Sequence, residues 1–255
     1  MVKIFLVANT EEHLTPMLGI GIKNVLLSFY YKSEAEIDEI ILKNPDVSFI
    51  IDSGAHTLQH NAKEIDYEAF FTKYLNLVKR HKDRKNVVFV ELDIDNVVGY
   101  KRVTEWREKL LAVRDDTIIV WHKWSEELAG RKLFEEYCKT YKYIGIPNKD
   151  LKNISLKTAF KIAKENKTKV HGFAMTKQNL LRRYEFDTVD SSYWTASVRF
   201  GNIFIFDRTK LRTFDKFRFK RLYNVTFDKI PREKVVMLAL MEWKKLIDYF
   251  EAKKI

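Results

Sequence analysis

The chain has 255 residues, 46% of them hydrophobic, with only 8 Gly and 4 Pro. That length is generous for one ordinary domain and normal for an α/β barrel, and no low-complexity linker divides it. The formal net charge of +11 suggests a polyanionic partner, most simply nucleic acid. A Lys-rich soluble protein from an A+T-rich genome would show the same balance. The single cysteine, Cys138, excludes an internal disulfide and a Cys-based zinc site and fits a reducing compartment.

In chain order, apolar runs of strand length alternate with segments of helical period. The run Lys3–Ala8 is too short for a signal peptide or a membrane span, so it reads as a first strand and the protein is expected to be cytoplasmic. Seven more strands are expected at 25–31, 47–52, 86–94, 116–122, 142–147, 169–175 and 185–190. Between them, Ser33 caps a helix with Glu34 and Glu36 in its first turn, and Asp66 opens another through Val78. Ser125 caps Glu126 to Tyr137, and Ser155 caps Leu156 to Lys164. Fully apolar strands alternating with helices indicate a parallel sheet with the helices outside. Eight such units favour a closed (β/α)8 TIM-type barrel over residues 1–196. Residues 197–255 are expected to form a basic segment and a closing helix packed on the same domain.

That last part changes character. Val198–Phe206 looks like two short strands around Gly201-Asn202. Arg208, Lys210, Arg212, Lys216, Arg218, Lys220 and Arg221 follow, interleaved with Phe and Leu. Such a segment supplies cations for phosphates and aromatic faces for bases; a half-buried β element with a solvated face reads equally well. Pro231 then sits near the start of a helix, Glu233 to about Ala252. Its Val236, Leu240, Trp243, Leu246, Ile247 and Phe250 form one apolar stripe.

Polar groups collect where the strands end, and a barrel's chemistry occurs at that mouth. They are Asp52 and Ser53, Asp93 and Asp95, His122, Gly145 with Pro147 and Asn148, Met175 and Thr176, and Asp190 with Ser191 and Ser192. Two aspartates at one mouth can divide nucleophile and general acid/base work between them. Ser53 and Ser191 also suit helix caps. Gly54 either admits a flat ligand or supplies positive φ. His122 either bonds a ligand or packs. His56 and His60 flank the Asp52 loop without a metal-ligand register, so no metal and no cofactor is expected.

The run Phe49-Ile50-Ile51-Asp52-Ser53-Gly54-Ala55 resembles a strand end of the queuine and archaeosine tRNA-guanine transglycosylases. Val90-Glu91-Leu92-Asp93 is similar to their second acidic strand end. Val189-Asp190-Ser191-Ser192-Tyr193-Trp194 looks most like the phage and genomic-island relatives that place 7-deazaguanines into DNA. The ordered set spans roughly residues 47 to 195. The resemblance implies base exchange with Asp190 as nucleophile at C1′ and Asp52 as general acid/base; Asp187 and Asp95 are rivals to Asp190 and Asp93, and Asp190 is preferred on strand alternation and its Ser-Ser match. Asp93 would accept from the purine edge, with Ser53, Gly54, His122, Gly145 and Ser191 around the pocket. It implies DNA (or tRNA) and a 7-deazaguanine such as preQ0 or preQ1 as partners, and host cytoplasm if virus-encoded. With one cysteine the chain lacks the family's Cys3His zinc subdomain, which favours DNA. The alternatives are the same reaction on tRNA, a non-catalytic nucleic-acid-binding barrel, and a metal-dependent hydrolase.

Overall fold

Each of the eight apolar runs forms a parallel strand, and each is followed by at least one helix. The computed structural model describes residues 2–60, 65–122, 129–148, 154–224 and 230–252. Strand β1 (Lys3–Val7) precedes α1 (Glu11–Gly19), β2 (Asn24–Ser28) precedes α2 (Glu34–Lys43), and β3 (Ser48–Asp52) precedes α3 (Ala55–Gln59) and α4 (Tyr67–Arg80). Next come β4 (Val87–Phe89), α5 (Asp95–Val98), α6 (Tyr100–Leu111), β5 (Ile119–Val120) and α7 (Gly130–Thr140). They are followed by β6 (Tyr143–Pro147), α8 (Leu156–Glu165), β7 (Lys169–Phe173), α9 (Gln178–Arg183) and β8 (Thr188–Ser191). A 3-10 turn at Tyr193–Thr195 leads to α10 (Ala196–Phe200), the hairpin β9 (Ile203–Asp207) and β10 (Lys210–Phe214), α11 (Lys216–Tyr223) and α12 (Arg232–Ala252).

The strand order β4-β3-β2-β1-β8-β7-β6-β5 brings the first and last strands of the barrel together at β1 and β8. The opposite seam closes through the parallel bridge Val90↔Ile118, with Ile118 N–H donating to Phe89 O at 2.8 Å and Glu91 N–H to Ile118 O at 3.0 Å. This is a (β/α)8 barrel of the TIM type. Strand alternation sends Phe5, Leu26, Ile50, Val90, Ile118, Val120 and Tyr143 into one interior cluster, with Val7, Val88 and Phe173 against it. The other face of each strand packs on the helices.

The caps follow the sequence. Ser33 and Glu36 form a reciprocal capping box, Asp66 accepts from Ala69 N–H, and Ser155 accepts from Thr158 N–H. The Ser125 cap falls outside the described residues; α7 is described from Gly130. Cys138 is buried in α7, and burial pushes its thiol up to about 12. Helix α12 is the eighth barrel helix: Val236, Leu240, Trp243, Leu246, Ile247 and Phe250 are buried, and Glu251 accepts from Asn24 at the foot of β2 (2.6 Å).

One correction concerns the first strand expected at 198–206. Val198–Phe200 completes helix α10, which stops at Gly201 in the left-handed region (φ 68°). Only Ile203–Asp207 is extended. Among the described residues, no helix is long and apolar enough to cross a membrane.

Candidate active site

Strand phase decides which side chains reach the barrel mouth. Asp52 follows Ile50 by two residues, so it shares that interior face. Asp190 pairs in register with Phe5, another interior residue. The two aspartates, far apart in sequence, thus enter one barrel interior from β3 and β8, with β2 and β1 between them.

Their surroundings differ. Asp52 accepts Gly54 N–H at 2.7 Å. Burial, reinforced by the charges of Asp93 and Asp190, nevertheless lifts it from 3.8 to about 7. Asp190, 9% exposed, accepts Ala174 N–H at 3.0 Å and lies 3.3 Å from His171 Nε2. His171 Nδ1 is 2.7 Å from Thr188 Oγ1, and Thr188 Oγ1 is also bonded to Tyr143 OH. One proton arrangement satisfies every member. Tyr143 O–H donates to Thr188, Thr188 O–H to Nδ1, and Nε2–H to Asp190. Ala174 delivers its N–H from a positive φ of 53°.

A cavity of about 360 Å³ is lined by Asp52, Ala55, His56, Val90, Asp93, Val120, His122, Pro147, Asn148, Phe173 and Ala174; Asp190 is not in that lining and adjoins it through Ala174, whose N–H it accepts. The cavity falls within the roughly 300–1,000 Å³ usual for small-molecule sites. Asp93 Oδ2 lies 3.1 Å from His122 Nε2. Burial pulls His122 down, but the hydrogen bond and charge of Asp93 outweigh it and raise its pKa. Tyr74 OH ties the ends of β3 and β4 together, donating between Ile51 O (2.9 Å) and Val90 O (2.6 Å). Glu91, on the outward face, is locked to buried Arg107 at 2.7 Å and accepts Val120 N–H at 2.6 Å. Larger cavities lie elsewhere: one of about 650 Å³ around Val2, Phe160 and Asp187, one of about 880 Å³ between α1 and α12, and one of about 440 Å³ around Lys82 and Arg114.

Several expected pocket residues have other positions. Ser53 is fully buried and donates to Glu91 O at 2.8 Å, so it braces the strand ends instead of lining the cavity. Ser191 is buried and accepts Tyr193 N–H at 3.1 Å within a turn. Gly54 has φ 84°, and a Cβ there would stand 2.4 Å from Tyr30 Cβ, so glycine answers both a backbone and a packing demand. At Gly145 a Cβ would stand 2.2 Å from the Phe173 ring. Gly145 therefore makes room for Phe173, and Phe173 forms the wall. His56 lies in α3, not in a loop, and His60 is the residue that ends that helix; their rings stack at 4.7 Å. Among the described residues, no three His, Cys, Asp or Glu side chains converge as a metal site.

Sequence reasoning missed His171, Phe173 and Asn9, and weighed His56 only as a metal ligand. The pattern Lys169-Val170-His171-Gly172-Phe173 places His171 and Phe173 on one strand face, which is the available signal. Asn9 follows β1 in phase with Phe5 and Val7, and its Oδ1 is buried without a hydrogen-bond partner among the described residues.

The basic segment is split by its own hairpin. Gln178 exchanges two 3.0 Å hydrogen bonds with Leu211, and Arg182 bonds Thr209 O. These contacts follow α9 away from the mouth, so Arg208 and Lys210 sit at the far tip. Arg212 is paired with Asp207 at 2.9 Å. Lys216, Arg218, Lys220 and Arg221 belong to α11, at the hairpin's other end.

No protein-family model and no curated protein matches the chain. Among solved structures it is similar to a putative isomerase from Sinorhizobium meliloti (11% identity, 82% of this chain and 55% of that one, TM-score 0.50). It is also similar to a dihydrodipicolinate synthase from Oceanobacillus iheyensis (11% identity, 77% and 69%, TM-score 0.46). A third is a D-psicose 3-epimerase from Clostridium cellulolyticum H10 (10% identity, 96% and 99%, TM-score 0.47). At such identity the likeness shows the barrel fold alone. The resemblance to the guanine transglycosylases is not upheld. No family model supports it, and these similar structures are a synthase, an isomerase and an epimerase.

Proposed function

We propose that the mouth is an enzyme active site for glycosyl transfer at the anomeric carbon of a nucleotide, exchanging guanine in a nucleic acid, DNA in the first instance, for a 7-deazaguanine. The observation that carries this reading is the pair of carboxylates in unlike surroundings: Asp52 lifted to about 7, and Asp190 held by two N–H groups. The two-carboxylate chemistry is read from this site; guanine, the 7-deazaguanine and DNA are carried into the proposal from the sequence expectation.

Asp190 attacks C1′ as the bond to the base breaks, forming an ester to the sugar. Developing oxocarbenium charge is captured by the carboxylate. Asp52, half protonated near neutrality, gives its proton to the departing purine. The incoming base then loses a proton to Asp52 and its nitrogen attacks C1′, releasing Asp190. The cavity wall of Phe173, Val90 and Val120 suits a flat ring, and Asp93, beside His122, accepts from the ring's N–H edge.

Incubation with radiolabelled guanine and labelled 7-deazaguanines, with DNA and tRNA in parallel, tests this. Label is expected in DNA, and a covalent protein–DNA adduct is expected with wild type but not with Asp190→Asn. Label in tRNA alone would move the substrate. Label in neither, with no adduct, overturns the reading.

A further inference from the structure

We infer that α10 and α11 form a stacking platform for an unpaired nucleic-acid strand, running outward from the Asp190 side of the mouth. Phe217 is 88% exposed and Phe200 70% exposed, the two most exposed of the chain's large hydrophobic residues among those described. Two rings exposed to that degree, with Arg199, Lys220 and Arg221 beside them on a protein of net charge +11, suit a partner that is both flat and anionic. On α11 the helical spacing i, i+3, i+4 puts Phe217, Lys220 and Arg221 on one face. Lys220 and Arg221 are exposed and make no ion pair among the described residues. On α10, the Arg199 guanidinium lies 5.1 Å over the Phe200 ring.

The two helices are physically joined. The Lys216 side chain crosses Gly201 so closely that a Cβ there would be 2.6 Å from Lys216 Cε. That contact sets Phe200 and Phe217 beside one junction. Its position relative to the mouth follows from the chain. α10 begins six residues after Asp190, at the carboxyl end of β8, through half-exposed Tyr193. Ile203 pairs with Phe214, returning the chain to the same end before α11 starts. The hairpin tip with Arg208 and Lys210 is roughly 14 Å further off, four strand residues away.

An unpaired strand fits because each base offers a π-face to a ring while its phosphates meet Lys220, Arg221 and Arg199; a duplex hides those faces. This inference rests on the proposed function for the reason a strand should lie there, but it is tested without turnover.

Fluorescence anisotropy with labelled dT20 and with a duplex of equal length, in the Asp190→Asn background, gives the test. Phe200→Ala and Phe217→Ala should each weaken dT20 binding by roughly 5- to 150-fold, with little change on duplex. Phe217→Trp should restore it. The slope of log K against log salt should stay as in the parent for the Phe variants, and fall in magnitude by about 1.4 for Lys220→Ala/Arg221→Ala. An unaltered dT20 affinity in Phe200→Ala/Phe217→Ala overturns the platform, as does an equal loss on duplex. Normal platform behaviour with no base label entering any polymer sinks the catalytic reading alone.

Discussion

Asp52→Asn separates the chemistry of the mouth from its effect on stability, with opposite signs. The folded protein holds Asp52 at about 7 against an ordinary 3.8. An acid whose folded pKa is raised binds its proton more tightly when folded. Its stabilising contribution is complete below about 3.8 and is lost as pH rises through about 7. Linkage with those two values gives a penalty of about 2 kcal/mol at pH 5 and about 4 kcal/mol at pH 8, relative to the fully protonated state. Asparagine carries no such penalty. Asp52→Asn should therefore gain about 2–3 kcal/mol over wild type between pH 5 and pH 8, while base exchange falls to near background. Urea denaturation of both proteins at the two pH values gives the stability difference, and the wild-type rate profile should bend near pH 7. A stability difference flat between pH 5 and pH 8 would refute the assignment of Asp52 as a carboxyl kept neutral by its site.

Three further outcomes follow from the geometry. His171→Leu removes a donor to Asp190 and the acceptor of Thr188 O–H; kcat should drop about 10- to 100-fold with a smaller change in KM, measured by label incorporation. Glu91→Gln leaves Arg107 charged and buried without its partner, so urea denaturation should show a loss of about 3–5 kcal/mol, largely recovered in Glu91→Leu/Arg107→Met. Gly145→Ala drives a methyl against the Phe173 ring. It should cost about 1–3 kcal/mol and raise KM for the base, because the displaced ring narrows the cavity.

The barrel was legible because the strands are apolar runs and several of the helices between them carry a start signal in the sequence. Ser33, Asp66 and Ser155 cap where the sequence placed them. The strand ends were less legible. β5 is two residues long where seven were expected, since within 116–122 only Ile118–Trp121 is apolar and only Ile119 and Val120 pair regularly. Residues 198–200 read as strand, yet the 3-10 turn before them carries the chain into a helix. At the mouth, the Asp-Ser pairs marked the right strand ends, but a dipeptide cannot say which neighbour faces inward. Phase can: Asp52 and Asp190 face in, while Ser53 braces a strand end and Ser191 a turn. For His171 the strand pattern offers its phase with Phe173 but not its role, which depends on Thr188 and Asp190 lying across a strand boundary from it.

The narrow closure between β4 and β5 has a consequence for how the molecule breathes. Seven of the eight joints in the ring are regular ladders, and the eighth hangs on the Val90↔Ile118 contact. Asp93 and His122, reached just beyond those two strands, stand like a clasp on either side of that joint. A guest gripped by both would fasten the ring at its weakest link, so occupancy and rigidity of this half of the molecule should rise and fall together.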